Sequence, residues 1–240
     1  MSNALVPVDY SQLPSTQIGS DETYDDLAKG GDYLSSMKLY TKGKAIDKGL
    51  IPPGRYGIYE SAEEITDLGD EIDVIPFARR PFAIDMSDKE NIIRVYDEAD
   101  DEFQRIKAAS TVKGSNCQCG VSFLMFERSS GRFVDFFCGT ASTLRAAKDI
   151  YPFMQLTAEQ IAERGLTDVE PHGPLPLTLK VRFIEKEYSW HAPTVHKCST
   201  PFANAPSPEV VAKEIGKFLS AKGDGVERVS EEEQQNQRAR

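Results

Sequence analysis

The chain has 240 residues, 40% hydrophobic and 28% charged, which allows one large core or two small ones without covalent staples. No apolar run approaches the ~18 residues of a membrane span. The polar, proline-containing start, residues 1–20, has no basic stretch followed by an apolar one, which argues against a secretory signal. Four cysteines then fit reduced thiols better than a disulfide framework, so a soluble cytoplasmic protein is expected.

The net charge of −10 is unevenly spread: residues 1–109 hold 12 Lys/Arg against 22 Asp/Glu, while residues 110–200 hold 10 against 9. An acidic total argues against non-specific duplex binding, where phosphate neutralisation supplies most of the affinity. It leaves room for a local basic groove.

Along the chain, residues 1–35 mix Ser, Thr, Gly and Asp without periodicity and read as an extended or disordered arm. The segment from Lys42 to Tyr59, with four glycines and two prolines, reads as a loop leading into the fold. Ile72, Val74 and Ile75 open a strand toward Phe77, broken or bulged at Pro76 and Pro81. Ile92 to Tyr96 is a second strand, and Phe103 and Ile106, three apart between Glu98 and Ala109, predict a short helix.

Val121 to Phe126 and Phe133 to Cys138, joined by Ser129-Ser130-Gly131, predict a hairpin. Thr140 or Ser142 can cap a helix from Thr143 to Ile150, ended by Pro152, and a second short helix from Thr157 to Arg164 stops at Gly165. Leu175, Leu177, Leu179, Val181 and Phe183 alternate with Pro176, Thr178, Lys180 and Arg182, a period of two that predicts one buried and one wet face. Tyr188 to Cys198 returns beside that strand, and Pro193 limits it to an edge or a bulge. Ser207-Pro208-Glu209 starts a helix with Val210, Val211, Ile215, Phe218 and Leu219 on one side, ending at Gly223. A polar tail follows from Asp224. The order predicts an α+β, β-rich protein, built as a small antiparallel barrel or a sandwich.

Four kinds of site are weighed. Single-strand binders need flat rings for bases and cations for phosphates. The strands and hairpin offer Arg79, Arg80, Arg94, Arg128, Arg132, Lys180, Arg182, Lys186, Tyr188, Trp190 and Lys197; the plain alternative is core aromatics beside a solvated cationic face. Cys117 and Cys119, with His191, His196 and Cys198, could supply zinc ligands, but the spacing matches no common knuckle, His191 and His196 would point to different faces of a strand, and small buried thiols are the better account of the cysteines. No nucleophile elbow, metalloprotease motif, phosphate loop or dinucleotide loop is present, so neither enzymatic activity nor a cofactor is expected. The acidic stretch Ser230 to Gln235 is either a peptide for replication or recombination partners or a plain disordered end.

Three segments then acquire a further meaning: Asp73-Val-Ile-Pro-Phe-Ala-Arg-Arg80, the hairpin from Phe123 to Phe133, and the pair Leu177 to Phe183 with Tyr188 to Pro193. In them the stretch from Asp70 to Cys198 resembles the OB-fold single-stranded-DNA-binding proteins encoded by tailed bacteriophages. That resemblance implies an antiparallel OB-like barrel with inserted short helices and a C-terminal helix. Its groove would stack single-stranded DNA on aromatics, in replication, recombination or repair. The implied organisation is a flexible arm at 1–40, a single OB-like domain at 41–222 and a disordered polar tail at 223–240. A homodimer is compatible with it. The competing expectation is a viral structural or assembly protein whose N-terminal arm reaches neighbouring subunits.

Overall fold

The computed structural model describes residues 34–61, 63–88, 92–186, 189–200 and 202–220. The arm before residue 34, the tail after residue 220, and Tyr188 lie outside the described residues. The strands are β1 (Ser35–Tyr40), β2 (Arg55–Tyr59), β3 (Ile65–Gly69), β4 (Glu71–Asp85), β5 (Ile93–Val95), β6 (Cys117–Glu127), β7 (Arg132–Cys138), β8 (Leu177–Ile184) and β9 (Trp190–Lys197). The helices are α1 (Lys44–Asp47), α2 (Asp101–Ser110), α3 (Ala141–Ile150), α4 (Ala158–Glu163) and α5 (Pro208–Ser220), with a 3₁₀ turn at Tyr151–Phe153. No helix among the described residues is long and apolar enough to cross a membrane.

The protein is α+β, with a large, open and mostly antiparallel sheet in the order β3-β2-β1-β7-β6-β4-β8-β9, and β5 paired to β4. The exception to antiparallel pairing is β1 beside β7, where Ser35 faces Val134 and Met37 faces Phe136. Among the described residues no pairing joins β3 to β9, which end-to-end closure would require. The closed antiparallel barrel expected from the resemblance is therefore not seen among the described residues: β3 and β9 stand at the two ends of the strand order, and β7 joins β1 in parallel.

Contacts divide the chain into two compact units, one comprising residues up to Arg79 with Ser122–Ser220, the other built on Arg80–Val121. The chain passes between them inside β4 and inside β6. In the first unit, Ile75, Phe77 and Ala78 of β4 and Leu124 and Phe126 of β6 pack under Val211, Ile215 and Phe218 of α5. The i, i+4, i+7 spacing of those three puts them on one helix face, and Val210 and Leu219, expected beside them, are instead exposed. In the second unit, Ala83, Phe103 and Ile106 form a small core, with Ile93, Val95, Cys117 and Cys119 around it.

The expected helices form with shifted starts, at Asp101 rather than Glu98, Ala141 rather than Thr143 and Ala158 rather than Thr157. Thr140 caps α3 and Thr157 caps α4, each in a reciprocal box, with Thr143 and Gln160 respectively. Asp100 caps α2 through its carboxylate. Three expectations need correction. Residues 35–40, assigned to the arm, form β1, with Met37 fully buried. The loop expected from Lys42 to Tyr59 contains α1 and β2, and β3 follows where no strand was expected. β4 runs unbroken through Pro76 and Pro81. Its pairing with β8 covers Glu71 to Val74 and its pairing with β5 covers Ala83 to Asp85. Both prolines thus fall between these partners, where a missing N–H removes no bond on that side.

Candidate nucleic-acid interface

β8 and β9 pair over their full length, Leu177 opposite Lys197 and Ile184 opposite Trp190. Side chains alternate across a strand, so this register sorts the hairpin into two faces. One carries Thr178, Lys180, Arg182 and Ile184 with Trp190, Ala192, Thr194 and His196; the other carries Leu177, Leu179, Val181 and Phe183 with His191, Pro193, Val195 and Lys197. Lys180, Arg182 and Trp190, singled out from sequence, therefore share a face. Arg182 lies opposite Ala192, which makes Trp190 its diagonal neighbour, ~7–8 Å away in typical sheet geometry.

Trp190 is 36% exposed and Arg182 is also exposed. Among the described residues Arg182, Lys186 and Lys197 have no ion-pair partner. Lys180 holds Glu71, its ladder partner on β4, at 2.9 Å. The hydroxyl of Thr194 donates to the Lys180 carbonyl at 3.1 Å and lies 3.0 Å from Nε2 of His196.

The alternation of buried and wet residues expected for β8 does not hold. Leu177, Thr178 and Leu179 are all buried, and Phe183, expected in the core, is 56% exposed. The hairpin's far end thus leaves apolar surface open on both faces. Phe183 rests against the ring of His191 at 5.1 Å between centroids, and His191 also lies against Gly54.

Most of the other expected cations are engaged. Arg79 lies 4.5 Å from the centre of the Tyr151 ring. Arg128 pairs with Asp73 at 2.9 Å and covers Phe202 at 5.2 Å. Arg132 is bound by Glu60 and donates to Ser35 Oγ at 2.6 Å. In the second unit, Arg80 is buried 3.6 Å over Tyr96 and Arg94 is half-buried on β5. Arg79, Arg80, Arg128 and Arg132 are thus built into the fold, each against a ring or a carboxylate. Burial raises the Asp73 carboxyl, but hydrogen bonds from Thr178, at 2.6 Å, and from Arg128 outweigh it and hold the carboxyl below its ordinary value.

Among the described residues no group of three or more His, Cys, Asp and Glu is arranged to hold a metal ion. Cys117 and Cys119 belong to the second unit's core, while Cys198 in the first unit donates to the Thr200 carbonyl at 3.4 Å. Cys138 is buried, which pushes its thiol far up.

A basic cleft went unnoticed in the sequence. β1, β2, α1 and the segments beside them line a concavity of about 540 Å³ that includes Lys38, Lys42, Lys44, Lys48, Tyr40 and Tyr59, and no carboxylate lines it. Between Lys38 and Tyr59 the chain holds five cations and one acid, a local excess hidden when the acidic N-terminal half is counted whole. No protein-family model, curated protein or solved structure matches this chain.

Proposed function

We propose that the protein binds single-stranded DNA with little sequence preference, in replication, recombination or repair, and that the β8–β9 hairpin is a principal contact surface. The observation that carries this reading is the ladder register, which sets Arg182 and Trp190 on one exposed face with Lys180 alongside. A flat ring beside a guanidinium with no ion-pair partner among the described residues is the pairing unpaired bases and their phosphates require. β9 ends the strand order, so the hairpin lies at an edge of the sheet. The arm on which an assembly role would rest lies outside the described residues.

Trp190 is the sole tryptophan, so its fluorescence reports binding directly. Titration with oligo-dT should quench it, and raising the salt should weaken the affinity steeply. Trp190→Ala, followed by gel shift, should lose about 1–3 kcal/mol of binding, the usual contribution of one stacked base. Unchanged oligo-dT affinity in both Trp190→Ala and Arg182→Gln would remove the hairpin from the interface.

A further inference from the structure

We infer that the cleft lined by β1 and α1 is a phosphate-binding site for a nucleotide-bearing ligand, either the backbone of a single strand or a free nucleotide. The inference rests on this cleft's own chemistry and not on the hairpin.

Lys42, Lys44 and Lys48 are exposed, and among the described residues none of them has a hydrogen-bonded or ion-paired partner for its ammonium group. With Lys38 they border one concavity whose lining contains no Asp or Glu. Asp67 is committed to Arg55 at 3.0 Å and Glu60 to Arg132 and Thr66, while Asp47 on α1 lies outside the lining. Like charges gathered around one hollow raise the local potential, which a bound anion relieves.

The second observation is aromatic. Lys38 Nζ lies 4.8 Å from the Tyr40 ring centre and 6.0 Å from that of Tyr59. Tyr59 is 45% exposed, so its ring is open to a base while the lysines hold the phosphate. Tyr40, also in the lining, has a buried hydroxyl with no partner. The volume of about 540 Å³ lies in the range of small-ligand sites, roughly 300–1,000 Å³. Cations alone would accept any polyanion; the ring beside them selects for a base attached to the phosphate.

The test uses the full chain and the triple variant Lys42→Gln/Lys44→Gln/Lys48→Gln, whose substitutions are all on exposed side chains. Labelled oligo-dT and dTTP are titrated separately against both proteins and against Trp190→Ala/Arg182→Gln. The triple variant should bind its ligand about tenfold more weakly or worse, and its log–log salt slope for oligo-dT should be shallower by about 2. A loss for oligo-dT assigns the cleft to the strand backbone, and a loss confined to dTTP assigns it to a free nucleotide. Triple-variant affinities equal to wild type for both probes overturn the inference, as does a wild type that binds neither. If the triple variant is unaffected while the hairpin variant loses oligo-dT, the hairpin reading stands and the cleft fails. The reverse pattern keeps the cleft and removes the hairpin.

Discussion

Glu127 is 1% exposed at the end of β6, a position where an unpartnered carboxylate would be costly. Its two oxygens are instead filled by the turn that follows. They accept the backbone N–H of Ser129 at 2.8 Å, that of Ser130 at 2.7 Å, and the Ser129 hydroxyl. One side chain thus fixes the turn that returns the chain into β7. Glu127→Ala leaves two turn N–H groups without their acceptor, and urea denaturation should show a loss of about 2–3 kcal/mol. Glu127→Gln keeps one acceptor oxygen and should fall in between. A variant with an unshifted midpoint would show that solvent holds the turn equally well. Ser129-Ser130-Gly131 was readable as a turn because glycine supplies the φ of +65° found at Gly131. The acid beside it was not, because a lone Glu at the end of an apolar run looks like a surface charge until the chain folds back over it.

Elements depend on one another through a few close approaches, and the tightest involves a glycine. Gly54 has φ of +77°, and its N–H donates to the Tyr40 carbonyl at 2.7 Å just before β2. A Cβ built there would lie 2.5 Å from Cδ2 of His191 on β9. Gly54→Ala therefore meets both backbone strain and a ring, and thermal or chemical denaturation should show a loss of about 2–3 kcal/mol. The double variant Gly54→Ala/His191→Ala, compared with His191→Ala alone, should cost less, because the ring is gone and only the strain remains. If the alanine costs the same in both backgrounds, the approach of β9 to Gly54 is looser than described.

At this scale the sequence was readable where its signals were local. Thr140, read as a cap, closes its helix start within three residues of itself, and β6 and β7 are joined by a short turn. β1, β2 and β3 were not readable, because glycines and charges interrupt their apolar pattern and β1 is buried by partners far along the chain, with Met37 opposite Phe136. For the candidate site, period two in β8 placed Lys180 and Arg182 on one face. The pairing of Ile184 with Trp190, which brings the ring to that face, depends on a register that composition does not encode.

Over the whole molecule, each unit carries a carboxylate held below its ordinary value, and this sets how the fold responds to acid. Asp73 serves the first unit in this way. In the second, Asp85 is 8% exposed and is lowered strongly by hydrogen bonds from Ser87 and then from Arg105, whose guanidinium lies at 2.7 Å. A group with a folded pKa below its unfolded value binds fewer protons when folded, so it contributes stability above the unfolded value, here 3.8. That contribution fades as the pH falls below about 4 and continues to fade until the folded carboxylate is itself protonated. The core of this unit is small, built on Ala83, Phe103 and Ile106, so it has little burial with which to offset the loss. Thermal melts at pH 7, 5, 4 and 3 should therefore show the wild-type midpoint falling mainly below pH 5. Asp85→Asn, which removes the charge but keeps the shape, should be less stable than wild type at pH 7 by roughly 1–3 kcal/mol, the range for hydrogen bonds to charged groups. The difference should shrink on approach to pH 3, where the carboxyl is protonated in the unfolded chain and its folded charge stabilises less. If the gap stays constant across the series, the Asp85–Arg105 pair would be set aside as a source of acid sensitivity, and the side chain's role would be that of shape alone.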